Sequence, residues 1–191
     1  MTGPSPGRVR IVAGANRGRY LKVAAAAGIR PTGEKVREAI FDVLGPVDGL
    51  AVLDLFAGTG AMGLEALSRG AGSCVFVEET PAVATVLRAN ITMLGYQSVC
   101  HVMLCDFREA LQRLVERSSA FDLLFVDPPY RMLAEVEVAL GPLLPSLLAD
   151  DGVVVTEGDR STRVTFGRPP VFDRVYGATR VTMVRNRGNI R

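Results

Sequence analysis

Asp127-Pro128-Pro129-Tyr130 concentrates more chemistry than any other stretch of this 191-residue chain. A carboxylate, two ring-locked residues and an aromatic ring follow a continuous apolar run, Phe121 to Val126. Such a run reads as a buried strand, and in open α/β sheets ligands collect at the carboxyl ends of strands. A stiff corner with one acceptor and one flat ring suits a planar group whose N–H must be held, such as the exocyclic amine of a nucleobase. The plain alternative is a stiff turn with no ligand.

A second stretch makes the ligand reading the stronger one. Asp54-Leu55-Phe56-Ala57-Gly58-Thr59-Gly60-Ala61-Met62-Gly63 joins an apolar run to a helical pattern, and Gly58, Gly60 and Gly63 satisfy G-x-G-x-x-G in that context. The glycines let backbone approach a ligand, and a helix start offers N–H donors. Alone, the pattern does not separate a dinucleotide from S-adenosylmethionine. Asp54 does: a carboxylate repels a pyrophosphate but suits a cofactor bearing an ammonium and a sulfonium. Phe56, Ala57, Gly58 and Gly60 are therefore read, with Asp54, as cofactor-binding. Glu78 ends the next apolar run, 18 residues after Gly60, where an acid accepts from ribose hydroxyls. Asp106 and Phe107 follow the third run. Asp106 would accept from an adenine amino group beside the Phe107 ring, although Asp is also an ordinary helix cap. The combined reading is methyl delivery to an amine held by Asp127, the Pro128 carbonyl, Pro129 and a stacking Tyr130.

The elements that must position these residues alternate. Strands are predicted over 50–55, 74–78, 99–104, 121–126 and 153–157. Helices are predicted over 60–69, 81–94 and 107–117, with a Pro-interrupted helical region over 133–148. Strands of continuous Val/Leu/Phe character between helices imply a parallel sheet covered on both faces. At the C-terminus, 171–176 and 180–184 alternate around Gly177-Ala178-Thr179, an antiparallel hairpin closing a sheet edge. Ahead of the core, 9–13 and 19–23 predict a small hairpin, followed by a helix over 34–44 that Thr32 would cap. The expected division is a flexible tail over 1–8, a basic hairpin and loop over 9–32, and the main domain over 33–191.

Charge is unevenly spread. Residues 1–47 carry eight Lys/Arg and three Asp/Glu (+5), 48–157 six and fifteen (−9), and 158–191 eight and two (+6). Basic ends around an acidic middle suit phosphate contacts around a cationic cofactor. Arg10, Arg17, Arg19, Lys22, Arg30, Thr32 and Arg37 are the expected RNA contacts; solvated surface charge or a sheet-edge cover is the alternative. Cys74, Cys100 and Cys105 have no metal or redox spacing and read as packing thiols, and His101 reads as a structural strand residue. No metal, membrane span or signal segment is expected, and the location is expected to be cytoplasmic.

These residues resemble the class I S-adenosylmethionine-dependent methyltransferases, whose amino-methylating members carry [Asn/Asp/Ser]-Pro-Pro-[Tyr/Phe]. The chain is similar in particular to the bacterial 16S ribosomal RNA guanine-966 N2-methyltransferases. Arg10–Gly14 with Gly18-Arg19, Arg30-Pro31-Thr32 with Val36–Phe41, and Asp54–Gly60 carry that likeness. The resemblance implies a Rossmann-like, mostly parallel seven-stranded sheet with an N-terminal hairpin that helps bind RNA. It implies conversion of guanine to N2-methylguanine in 16S rRNA, on the 30S subunit or a late assembly particle, by a monomer that leaves S-adenosylhomocysteine as product. Asp127, Pro128 and Tyr130 carry over as the base site, and Gly58, Gly60, Glu78 and Asp106 as the cofactor site. Two other readings stay open: an adenine-N6 methyltransferase of RNA or DNA, and a non-catalytic ribosome-assembly module that keeps the cofactor pocket.

Overall fold

The computed structural model describes residues 9–24 and 33–186. Seven strands form one sheet, in the order β5 (Cys100–Met103), β4 (Ser73–Val77), β3 (Ala51–Asp54), β6 (Phe121–Val126), β7 (Leu148–Asp159), β9 (Thr179–Arg185), β8 (Pro170–Tyr176). The first five run parallel, and β9 joins β7 antiparallel. β3 pairs with β4 on one side and β6 on the other, so chain order reverses there and a crevice opens at the strand ends.

Side-chain alternation divides the core. Val52, Leu123, Phe125 and Val155 face α1 (Glu34–Leu44), α2 (Ala61–Ser68) and α3 (Pro81–Leu94). Leu53, Leu124 and Val154 face α4 (Phe107–Glu116), α5 (Leu133–Leu140) and α6 (Leu144–Leu147). A helix set on each face explains why these strands lack polar alternation. Helix α3 begins with Pro81 in its first turn and ends on Gly95 at φ 81°, as the sequence predicts. The 133–148 region breaks at a 3₁₀ turn, Gly141–Leu143, because Pro142 and Pro145 lack the N–H that would continue the ladder. β7 is longer than the expected 153–157, since Leu148 already pairs with Phe121 before a register shift.

The N-terminal hairpin pairs only over β1 (Val9–Arg10) and β2 (Tyr20–Leu21), fewer residues than predicted. What replaces the missing ladder is docking. Val9, Ile11 and Leu21 join the core against α1, α2 and α3, so the hairpin shares the core of the main domain. Glu65 of α2, fully buried, accepts from the Val12 and Ala13 amides at 2.8 and 3.0 Å. Asn90 of α3 donates to the Lys22 carbonyl and accepts from its amide, as a strand partner would. Gly14 lies at φ 79°, and a Cβ there would sit 1.7 Å from the Ser68 carbonyl oxygen, so only glycine fits this contact.

Candidate active site

The cavity lies at the carboxyl ends of β3, β4, β6 and β7 and has a volume of about 790 Å³. Asp54, Phe56, Ala57, Glu78, Phe107, Asp127, Pro128, Pro129 and Tyr130 all line it. The sequence reading thus brings two stretches 73 residues apart, Asp54 and Asp127, into one chamber.

The glycine loop is built from backbone bonds. The Ala57 amide donates to Val77, and the Gly60 amide to Ala57 at 2.7 Å. Gly60 opens α2 at φ 84°, and a Cβ on it would lie 2.5 Å from Leu87 Cδ1. Gly63 has a different task from the ligand approach expected of it. A Cβ there would fall 2.4 Å from the Phe76 ring and 2.7 Å from Cys74 Sγ, so this glycine packs helix on strand.

Glu78 directly follows β4 and is partly buried; Glu79 beside it is exposed. One Glu78 oxygen accepts from the Gly58 amide at 3.0 Å and the other from the Thr80 amide at 2.8 Å. Each keeps a second lone pair for a hydroxyl. Phe107 is buried and meets Phe56 with ring centroids 5.3 Å apart, forming an apolar wall. Asp106 is the N-cap of α4: it accepts from the Arg108 amide at 2.8 Å and bonds that guanidinium. Asp106 thus caps α4 between Cys105 and Phe107, two residues that line the cavity.

Asp54 is buried and accepts from the Gly63 amide at 3.0 Å, tying the end of β3 to the first turn of α2. Burial pushes its carboxyl up to about 7, the charges of Asp127 and Glu78 add to the rise, and the Gly63 bond opposes it.

Glu157, Met62, Val36, Arg131 and the β8–β9 turn with Tyr176 and Thr179 also line the cavity. Sequence reasoning passed over them. Glu157 carried a usable signal, since it follows the last parallel pair of β6 and β7 just as Asp127 does on the neighbouring strand.

Of the expected RNA contacts, Arg10, Arg17, Arg19 and Lys22 are exposed on the hairpin. Arg10 pairs with Glu34 at 2.9 Å, and Arg19 donates to the Met93 carbonyl. Arg30 and Thr32 lie outside the described residues. Arg37 corrects the reading: it is 1% exposed, its guanidinium bonds the Arg10 carbonyl and lies 3.4 Å from Glu65, and it cannot reach RNA. Burial lowers its pKa, against the pull of the Glu65 charge.

This fold, with a cofactor-sized chamber at the switch point, is that of the class I methyltransferases. The chain belongs to the family described as Conserved hypothetical protein 95, whose model matches residues 9–184. It is 36% identical to the "Putative rRNA methyltransferase YlbH" of Bacillus subtilis over 94% of this chain and all of that one. It is 38% identical to Ribosomal RNA small subunit methyltransferase D of Haemophilus influenzae over 70% of each chain. Among solved structures it is similar to the "Putative methyltransferase yhhF from Escherichia coli", with a TM-score of 0.79 and 32% identity over 94% of this chain and 98% of that one.

Proposed function

We propose that the chain methylates the exocyclic N2 of a guanine in small-subunit ribosomal RNA, with S-adenosylmethionine as donor. The observation that carries this reading is one cavity holding both the Glu78-braced glycine loop and the Asp127–Tyr130 corner. The residues fit the donor. Gly58 and Glu78 suit its ribose end, Phe56 and Phe107 its adenine ring, and Asp54 its cationic end. When bound, S-adenosylmethionine supplies a methyl group whose bond to sulfur breaks with the electron pair left on sulfur. Asp127 and the Pro128 carbonyl accept from the guanine amine, draw its nitrogen out of conjugation and aim its lone pair. As that nitrogen gains positive charge, the Asp127 carboxylate stabilises it and can take the surplus proton. Tyr130, 47% exposed at the mouth, is free to stack on an incoming base, a contact worth ~1–3 kcal/mol. A base that enters this chamber must leave its stack, which favours RNA loops over duplex.

Unmodified small subunits incubated with the protein and labelled donor should yield N2-methylguanosine on nucleoside mass spectrometry. N6-methyladenosine would instead select the adenine reading. Cofactor binding without turnover on any small-subunit substrate would select the assembly module. The exposed hairpin cations form the RNA arm in this proposal. Replacing Arg17 and Arg19 together by Gln should weaken RNA binding and flatten the slope of log affinity against log salt by up to about two units. An unchanged slope would remove the arm from the RNA interface.

The Asp54 carboxyl gives the cofactor step a pH signature. A cationic ligand favours its ionised form, so donor affinity should rise from pH 6 to 8, by at most about tenfold per unit, and Asp54→Asn should flatten that rise. Calorimetric titrations with identical pH slopes in both proteins would refute the assignment. Stability carries the opposite sign. The folded carboxyl titrates near 7 and the unfolded one at about 3.9, so the native state holds the extra proton and loses stability as pH rises through that window.

A further inference from the structure

A second buried carboxylate lines the cavity beside Asp127. Glu157 is 5% exposed and lines the cavity together with Asp127 and Tyr130. Its predecessor Thr156 is the register partner of Val126, so Glu157 and Asp127 are the next residues along neighbouring parallel strands. Such strands lie about 4.8 Å apart, and alternation sends both side chains to the same face of the sheet. On that face Glu157 also lies within electrostatic reach of the Arg37 guanidinium.

An ionised carboxylate only accepts hydrogen bonds. Two of them side by side therefore select a base edge with two adjacent donors. Guanine has that edge, N1–H beside the N2 amine. Adenine and 2-aminopurine instead set an amine beside an N1 lone pair, which a second carboxylate repels. We propose that Glu157 is the specificity-determining residue of this site: it accepts the guanine N1–H while Asp127 holds the N2 amine, and so excludes purines whose N1 is an acceptor. This rests on the guanine-N2 reading.

The test uses small subunits reconstituted with guanine or with 2-aminopurine at the methylated position, the latter keeping the C2 amine and losing N1–H. The wild-type protein should prefer guanine by at least about 100-fold in kcat/KM, because a site built for an N–H leaves its acceptor unpaired on the analogue. In Glu157→Gln the amide can turn a donor toward N1. Guanine turnover should fall at least about tenfold and the preference collapse to within about tenfold. Calorimetric donor affinity close to wild type shows that the variant's pocket is intact. Turnover on guanine with an unchanged preference in the variant would overturn the inference alone, leaving Asp127 to read both donors. No methylation of either base with donor bound would remove the guanine-N2 reading, and this inference with it. If Glu157→Gln does not bind donor, Glu157→Asp takes its place: turnover on guanine with an unchanged preference overturns the proposal, and a preference reduced at least about tenfold supports it.

Discussion

Asp127→Ala should lower the single-turnover rate of methyl transfer to small-subunit RNA by at least about two orders of magnitude, the scale of a lost transition-state partner. Donor affinity should stay within a few-fold, because other acids brace the glycine loop: Glu78 holds the Gly58 amide and Asp54 the Gly63 amide. The separation of rate from binding is what makes the variant informative. A residue that merely stiffened the corner would move both. A second readout follows from electrostatics. The Asp127 charge helps raise the Asp54 carboxyl, so its removal should shift the pH midpoint of donor binding downward. Rapid-quench measurement of the methylated nucleoside, with calorimetry of the donor, gives all three quantities. A rate within tenfold of wild type would take Asp127 out of the chemistry.

The elements that place this corner were legible because their signals are local. Phe121–Val126 is an unbroken apolar run and forms β6 with those bounds, and Pro81 and Gly95 mark both ends of α3. The ligand-facing acids were legible for a related reason: Asp54, Glu78 and Asp127 each stand where an apolar strand stops, and polar residues at such points need a task. What the sequence hid was tertiary. Arg37 looked like any cation on a helix flank, since its partner Glu65 lies on another helix and nothing local marks the pair. Gly63 satisfied a ligand pattern while serving helix–strand packing. Asp106 offered two readings, and its bonds to Arg108 display the capping one. The hairpin's charges pointed outward to RNA, but much of its hold on the body comes from backbone amides bonded to Glu65, which no local pattern marks.

That hold sets the second large expectation. Glu65→Ala should destabilise the protein by about 3–5 kcal/mol, the cost of breaking a buried ion pair by removing one partner. Glu65 is completely buried and serves four groups: the Val12 and Ala13 amides, the Arg69 Nε at 2.8 Å and the Arg37 guanidinium. Alanine strands two half-buried amides and takes the countercharge from a guanidinium that is itself 1% exposed. For a domain of this size each kcal/mol moves the melting midpoint by about 2–4 °C, so a drop on the order of 10 °C is expected. Hydrogen exchange should speed up first at Val12 and Ala13, because the hairpin loses its clamp before the sheet loses its core. Removing Arg37 as well should cost less than the sum of the single changes, since each deletion harms mainly through the partner it leaves behind. A denaturant midpoint corresponding to less than about 1 kcal/mol of loss in Glu65→Ala would mean that the stranded Arg37 guanidinium and the freed amides find other partners, and that Glu65 is not the clamp. The hairpin would then be held by the apolar contacts of Val9, Ile11 and Leu21 together with the Asn90 and Ser68 bonds.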